Sequence, residues 1–299
     1  MMAAIATQAL LKKLDGLDRV PTLSVVLEPL LKYLEQPVDS LEVHKVVDLI
    51  AQDKSLTAQC LHLANSPLFG RWQDVDTIRG AVVALGMRRM RDIAMSCCVL
   101  KLWPGQQVNI NPVVFWEHSM GCALVSRQFA QKIGMPNHEK AYLAALLHDV
   151  GIIAALWVFP SEFCTAFDVA RSQRVPLHEA ELSTLGFTHC ESGRLLAERW
   201  HFNTELTAAI AGHHDAEIVG DHRGIVALVA LSDLLCRMSG MGYGYEERRQ
   251  VNFLEEPAFA VLVQECPSLE KFDWARFTFE MEAYVEEVHR LVSLLYRTQ

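Results

Sequence analysis

The 299-residue chain predicts an all-α fold, on two observations. Apolar residues recur at spacings of three and four almost everywhere, the period of helices that bury one face. Alternation of period two bounded by turn residues, the mark of strands, is hard to find. With 51% hydrophobic residues, the chain can bury a sizeable core, and its length fits one large domain or two packed subdomains.

Residues 22–35 (TLSVVLEPLLKYLE) read as a first helix entered after Pro21, with Pro29 as a kink. Asp39 and Glu42, three apart, resemble a capping box opening the helix EVHKVVDLIAQ. In SLTAQCLHLANS, Leu56, Cys60, Leu61 and Ala64 share a face, and Pro67 and Gly70 close the helix. Residues 77–86 form a short helix ended by Gly86, followed by MRRMRDIAMSCCVLKLW, which stops at Pro104-Gly105. The loop PGQQVNINP is the expected boundary between two bundles.

Beyond it, VVFWEHSMGCALVSRQFAQKI and EKAYLAALLHDVGIIAALWVF each read as one helix, and a less regular stretch runs through residue 185. HCESGRLLAERW, TELTAAIAGHHD and GIVALVALSDLLCRMSG are further helices. GMGYGYEERRQVN is Gly-rich enough to be a loop, and final helices span 256–266 and 274–297. No internal repeat or low-complexity tract interrupts this order.

A formal charge of −9 and a pI near 5.7 argue against a general nucleic-acid binder, which needs clustered Lys and Arg on phosphates. The short basic run MRRMR at 87–91 reads as a solvated helix start. The eight cysteines form no C-x-x-C pair and sit mostly in apolar helical context, as small core residues do. The N-terminus lacks the basic and apolar regions of a signal peptide, and no uncharged apolar run reaches bilayer length. These features lead to the expectation of a cytoplasmic protein without nucleic-acid or membrane partners.

Against this apolar background, His118, His148 with Asp149, His189, His213 with His214, and Asp233 each interrupt a helix expected to pack inward. Burying such groups without partners costs several kcal/mol apiece, so they must share partners, and a common metal would satisfy most at once. Neighbours on one helix point ~100° apart, so the His-Asp and His-His pairs call for two ions or a bridging Asp149. Imidazole with carboxylate suits Fe, Mn, Zn, Ni or Co rather than Mg or Ca. The alternative is a hydrogen-bonded, metal-free polar core. His44, His62, His138, His178, His201, His222 and His289 stand beside charged or turn residues and read as solvated. So do Glu179, Glu181 and Glu191, while Asn65 and Ser66 mark a helix end.

The order His, His-Asp, His, His-His, Asp resembles the metal-binding pattern of the HD superfamily of phosphohydrolases, in particular the two-metal branch that includes the HD-GYP cyclic-dinucleotide phosphodiesterases. In the N-terminal half, VPTLSVVLEPLLKYLEQP, AQDKSLTAQCLHLANSPLFG and DTIRGAVVALGMRRMRDIA are similar to the HDOD domain, an HD-related output domain of bacterial signalling proteins. With FWEHSMGCALVSRQFA, AALLHDVG and LGFTHCESGRLLAERW, the likeness covers about residues 20–220.

The resemblance implies an N-terminal helical subdomain (1–108), an HD-like metal-site bundle (109–240) and a C-terminal helical extension (241–299). It implies metal at the seven residues, one or two transition-metal ions with iron foremost and Mn, Zn or Ni as alternatives, and signalling proteins or a phosphate-containing ligand as partners. It also implies loss of turnover. Catalytic relatives continue the pair as His-Asp-x-Gly-Lys, whereas Ile152 stands at the lysine position here, and Gly242-Tyr243-Gly244 has neither the proline nor the place of the Gly-Tyr-Pro signature. Lys140 is the nearest substitute charge in sequence. A hydrolase acting on nucleotides or cyclic dinucleotides through Asp149 is the alternative, and an inert scaffold the third.

Overall fold

The computed structural model describes residues 27–34, 36–69, 74–104, 109–136, 138–248 and 251–297. The start of the predicted first helix, the Gly70 stop and residues 105–108 of the loop PGQQVNINP lie outside these residues. The described residues are helical with no strand, as the periodicity requires. They form two compact units, one on Pro21–Trp103 with Ala283–Gln299, the other on Pro104–Glu282.

The first unit contains α1 (Leu27–Leu34), α2 (Val43–Ala51), α3 (Lys54–Ala64), α4 (Ile78–Leu85) and α5 (Met87–Leu100). Side chains start two of these helices: Asp53 accepts from Leu56 N at 3.0 Å and Thr77 from Gly80 N at 3.1 Å. The predicted capping box is absent. Asp39 lies in a 3-10 turn, Glu42 is the N-cap without a side-chain bond, and its N–H is already taken by the Tyr33 hydroxyl at 2.8 Å. On α3 the core position expected for Leu61 belongs to Leu63. The basic run is solvated only in part, because Met90 and Arg91 are buried.

The second unit holds α6 (Pro112–Lys132), α7 (Ala141–Leu147), α8 (Val150–Val158), α9 (Pro160–Gln173), α10 (Leu177–Leu185), α11 (His189–Arg199), α12 (Thr204–Gly212), α13 (Arg223–Met238) and α14 (Pro257–Glu265). A last helix, α15 (Trp274–Arg297), begins here. Two expectations change. The stretch read as irregular is α9 and α10, separated where Arg174 turns left-handed (φ 59°) ahead of Pro176. The single helix through residue 148 is two, broken at His148-Asp149, where Asp149 adopts φ −97°, ψ 13°. Ala141–Val158 is apolar enough to cross a membrane by length and composition, yet 89% of it is buried within the fold, so it serves as core. All eight cysteines are free thiols and seven are buried.

α6 packs on α7 and α13, while α8 packs on α11. The second contact is unusually close, because a Cβ on Gly151 would lie 1.8 Å from His189 O and 2.5 Å from Gly193 N. Ser192 Oγ donates to Gly151 O at 3.0 Å across the same crossing. Only a glycine lets the start of α11 come this near to the start of α8. Gly151→Ala must separate the helices, and a loss of about 3 kcal/mol or more is expected. A urea midpoint within error of wild type would contradict this account of the crossing.

Candidate metal centre

The break at 148–149 removes the difficulty of neighbouring ligands on one helix. With the backbone out of helical geometry, His148 Nε2 and Asp149 Oδ2 lie 3.2 Å apart. From α6, His118 Nε2 comes within 3.3 Å of His148 Nε2, 3.4 Å of Asp149 Oδ2 and 3.3 Å of Asp233 Oδ1. On the other side of Asp149, Oδ1 is 3.3 Å from His189 Nε2 and 3.6 Å from His213 Nε2, and these two nitrogens are 3.3 Å apart. His214 follows His213 in the turn after α12, its Nδ1 4.0 Å from Asp233 Oδ2. All seven residues singled out in the sequence therefore converge. Six are at most 3% exposed, and the His214 side chain is 12% exposed.

The hydrogen bonds on the far ring nitrogens decide what the near ones can do. His118 Nδ1 faces Met241 O at 2.6 Å, His148 Nδ1 faces Ala145 O at 2.6 Å, and His213 Nδ1 faces Ile210 O at 3.0 Å. His189 Nδ1 faces Glu181 Oε2 at 2.7 Å. Carbonyl and carboxylate oxygens only accept, so each Nδ1 carries the proton, and in the neutral ring each Nε2 is a bare lone pair. Two such lone pairs opposed at 3.3 Å repel unless a cation or a proton lies between them. Asp149 Oδ1 is buried without any hydrogen-bond donor, although buried oxygens are almost always paired. This donor set fits a pair of transition-metal ions sharing the Asp149 carboxylate.

Several groups that support the centre escape a sequence reading. Glu181, read as solvated, is fully buried and accepts from both the backbone N–H (2.8 Å) and Nδ1 of His189. His178, also read as solvated, stacks on His214 with ring centroids 4.2 Å apart. The Gly-rich loop after α13 reaches back over the site: the Tyr243 hydroxyl donates to Asp149 Oδ2, and Met241 supplies the carbonyl for His118. Gly121 leaves room for that approach, since a Cβ there would meet Met241 Sδ at 2.7 Å. Arg237 clamps Asp233 at 2.9 and 3.0 Å and reaches Glu247 at 2.8 Å. Gly242-Tyr243-Gly244 misses a known signature, so only spatial proximity reveals its place. A cavity of about 540 Å³ lies against Arg237, Tyr243, Tyr245 and Glu247.

Comparison with known proteins identifies the fold. The HDOD domain family matches residues 20–216. A solved HDOD domain protein of Geobacter sulfurreducens is 29% identical, covers 98% of both chains and superposes with a TM-score of 0.82. A candidate phosphohydrolase of Shewanella amazonensis SB2B, 22% identical over 96% of this chain and 98% of its own, has a TM-score of 0.73 and shares the fold. So does a candidate signal transduction protein of Marinobacter aquaeolei VT8, 21% identical with a TM-score of 0.64, of which 59% is covered by 90% of this chain. No curated protein matches the chain.

Charge follows from the same geometry. Burial opposes charge on every group, but Asp149 and Asp233 hold His118 up at about 10. For His213, burial is outweighed by Cys190 and Asp149, again to about 10. Burial dominates for His148 and His214, which move down, and it takes His178 down to about 3. Burial also opposes the Asp149 and Asp233 carboxylates, yet His148 and Arg237 respectively hold them well below the usual range. Without metal, a proton thus stands in for the ion beside each bare pair. A folded-state value raised from 6.5 to about 10 means that His118 and His213 contribute stability that is fully present below pH 6.5 and is lost as the pH rises through about 10. The Cys190 thiol, which burial raises but His213 and His189 lower to about 7, offsets one proton of this. In chelator, the urea midpoint should fall between pH 7 and pH 10, and a rise over that interval would contradict the assignment.

Proposed function

The chain belongs to the HDOD family, and from that membership we propose that it is a signalling protein that binds partners or a ligand, holds one or two transition-metal ions, and does not turn over substrate. The observation that carries the reading is the set of four Nε2 atoms that face the Asp149 carboxylate. His118, His148, Asp233 and Asp149 Oδ2 would hold one ion, and His189, His213, His214 and Asp149 Oδ1 the other. A bound ion would supply positive charge and Lewis acidity. Iron is the first choice, with Mn, Zn or Ni suited to the same donors. Glu181, Met241 O and the other carbonyls fix the tautomers and aim the rings.

Support for a non-hydrolytic role comes from the groups around the ligands. Ile152 is fully buried where catalytic relatives place a lysine. The Lys140 ammonium is paired with Glu205, and Arg237 is neutralised by Asp233 and Glu247. Tyr243 covers Asp149 Oδ2, on the carboxylate where a reacting water would need access. Losing one electrostatic contact to a phosphate costs ~10²–10³ in rate, and here the surroundings are closed as well. Likeness to a candidate signal transduction protein favours signalling partners, and the pI near 5.7 disfavours nucleic acid. The second reading, a phosphohydrolase acting on nucleotides or cyclic dinucleotides with Asp149 activating water, draws on the retained ligands and the adjoining cavity of about 540 Å³.

Protein purified without chelator should contain one to two equivalents of a transition metal by elemental analysis. Chelation should lower Tm by several degrees, since an ion at 100 times its Kd stabilises by ~2.7 kcal/mol. Asp149→Ala should lose both the metal and the chelator response, and metal-free protein with an unchanged Tm would remove the metal reading. Loaded with Mn or Fe, the protein should leave a panel of nucleotides and cyclic dinucleotides intact; turnover that vanishes in Asp149→Ala would establish the second reading instead.

A further inference from the structure

Among the buried thiols, two lie beside the centre, Cys122 near His118 and Cys190 near His213. We infer that Cys122 is a ligand of the His118 half of the centre, so that one ion is held by nitrogen, oxygen and sulfur and the other by nitrogen and oxygen alone. The inference rests on the metal reading above and deepens it.

Cys122 stands four residues after His118 on α6, so both side chains leave the same face of the helix. It is fully buried. Its Sγ, a nitrogen of His118, a nitrogen of His148 and a carboxylate oxygen of Asp233 all lie within 4.8 Å of one another. The bare lone pairs of His118 and His148 are an independent sign that a cation belongs at this point.

The spacings agree with tetrahedral coordination. Bonds of ~2.0–2.1 Å to nitrogen and ~2.3 Å to sulfur put neighbouring nitrogens ~3.3 Å apart, and nitrogen and sulfur ~3.6 Å apart. His118 Nε2 lies 3.3 Å from His148 Nε2, 3.3 Å from Asp233 Oδ1 and 3.7 Å from Cys122 Sγ. Sγ is also 3.8 Å from His118 Nδ1, so it lies beside the ring and has to swing toward the Nε2 side to reach the ion. Burial and the neighbouring Cys236 push the Cys122 thiol up, so its deprotonation has to be driven by the ion. On coordination the Cys122 S–H bond breaks, the sulfur–metal bond forms and the proton leaves to solvent, with no change of oxidation state.

The other half differs. Cys190 Sγ is 3.9 Å from His213 Nε2, and the group that can close around one ion there is His189, His213 and His214 without sulfur. A thiolate on one side only makes the halves chemically unequal: the Cys122 side suits Zn, Fe or Co, while the other is open to harder ions such as Mn.

The test uses the full chain, stripped by chelator and reloaded with Co(II). An intense thiolate-to-cobalt charge-transfer band in the near ultraviolet is expected, lost in Cys122→Ser and kept in Cys190→Ser, with Cys122→Ser binding cobalt ~10-fold or more weakly. X-ray absorption of the zinc-loaded wild type should show a sulfur neighbour at ~2.3 Å, which decides the matter even if Cys122→Ser does not fold. Bound cobalt or zinc with no sulfur signature, or a band that survives Cys122→Ser, overturns the Cys122 assignment and leaves the metal reading standing. Protein that takes up no divalent ion at all overturns both.

Discussion

One carboxylate organises the second unit. Asp149 turns one oxygen toward His118 and His148 and the other toward His189 and His213, so two imidazole pairs from four places in the chain are tied to a single side chain. Every unusual local feature follows from that demand. The chain leaves helical geometry at Asp149, next to a still helical His148, and both residues face inward. Gly151 then lets the start of α11 approach closely enough for His189 to reach Oδ1. A side chain at residue 151 would separate the helices and leave the aspartate with half of its partners.

The groups around the centre share one tendency, which is to close it. Positive charge near it is spoken for, the lysine position is aliphatic, and the residues after α13 fold back to cover it. Sealing strengthens each electrostatic contact inside, because water no longer screens it. A closed centre suits a structural or sensing ion better than one that must admit a phosphate. The seven residues also depend on one another: removing any one of them would leave the others buried and uncompensated.

The helices were legible because a helix with one buried face writes its period directly into the chain. Where that failed, a local rule met a tertiary one. The run around His148 has no Pro, and its one glycine, Gly151, falls inside the next helix, so the apolar periodicity reads straight through the break, which brings Asp149 to contacts far along the chain. Asp39 and Glu42 have capping-box spacing, but Tyr33 takes the N–H that the box would use. The seven converging residues were legible as polar intrusions in apolar helices, and their order strengthened the signal. Glu181, Met241, Tyr243 and Cys122 were not. A glutamate in a short helix of mixed composition, a backbone carbonyl, a tyrosine in a Gly-rich loop and a cysteine in an apolar helix look ordinary until folding brings them beside the site.

The loop from Met241 to Tyr243 also bears on how the molecule is made. A nascent chain that has emerged only as far as Asp233 already carries every histidine and aspartate of the cluster. It still lacks the carbonyl that orients His118 and the hydroxyl that rests on Asp149. Synthesis from the N-terminus thus presents all seven residues before the two groups that close over them.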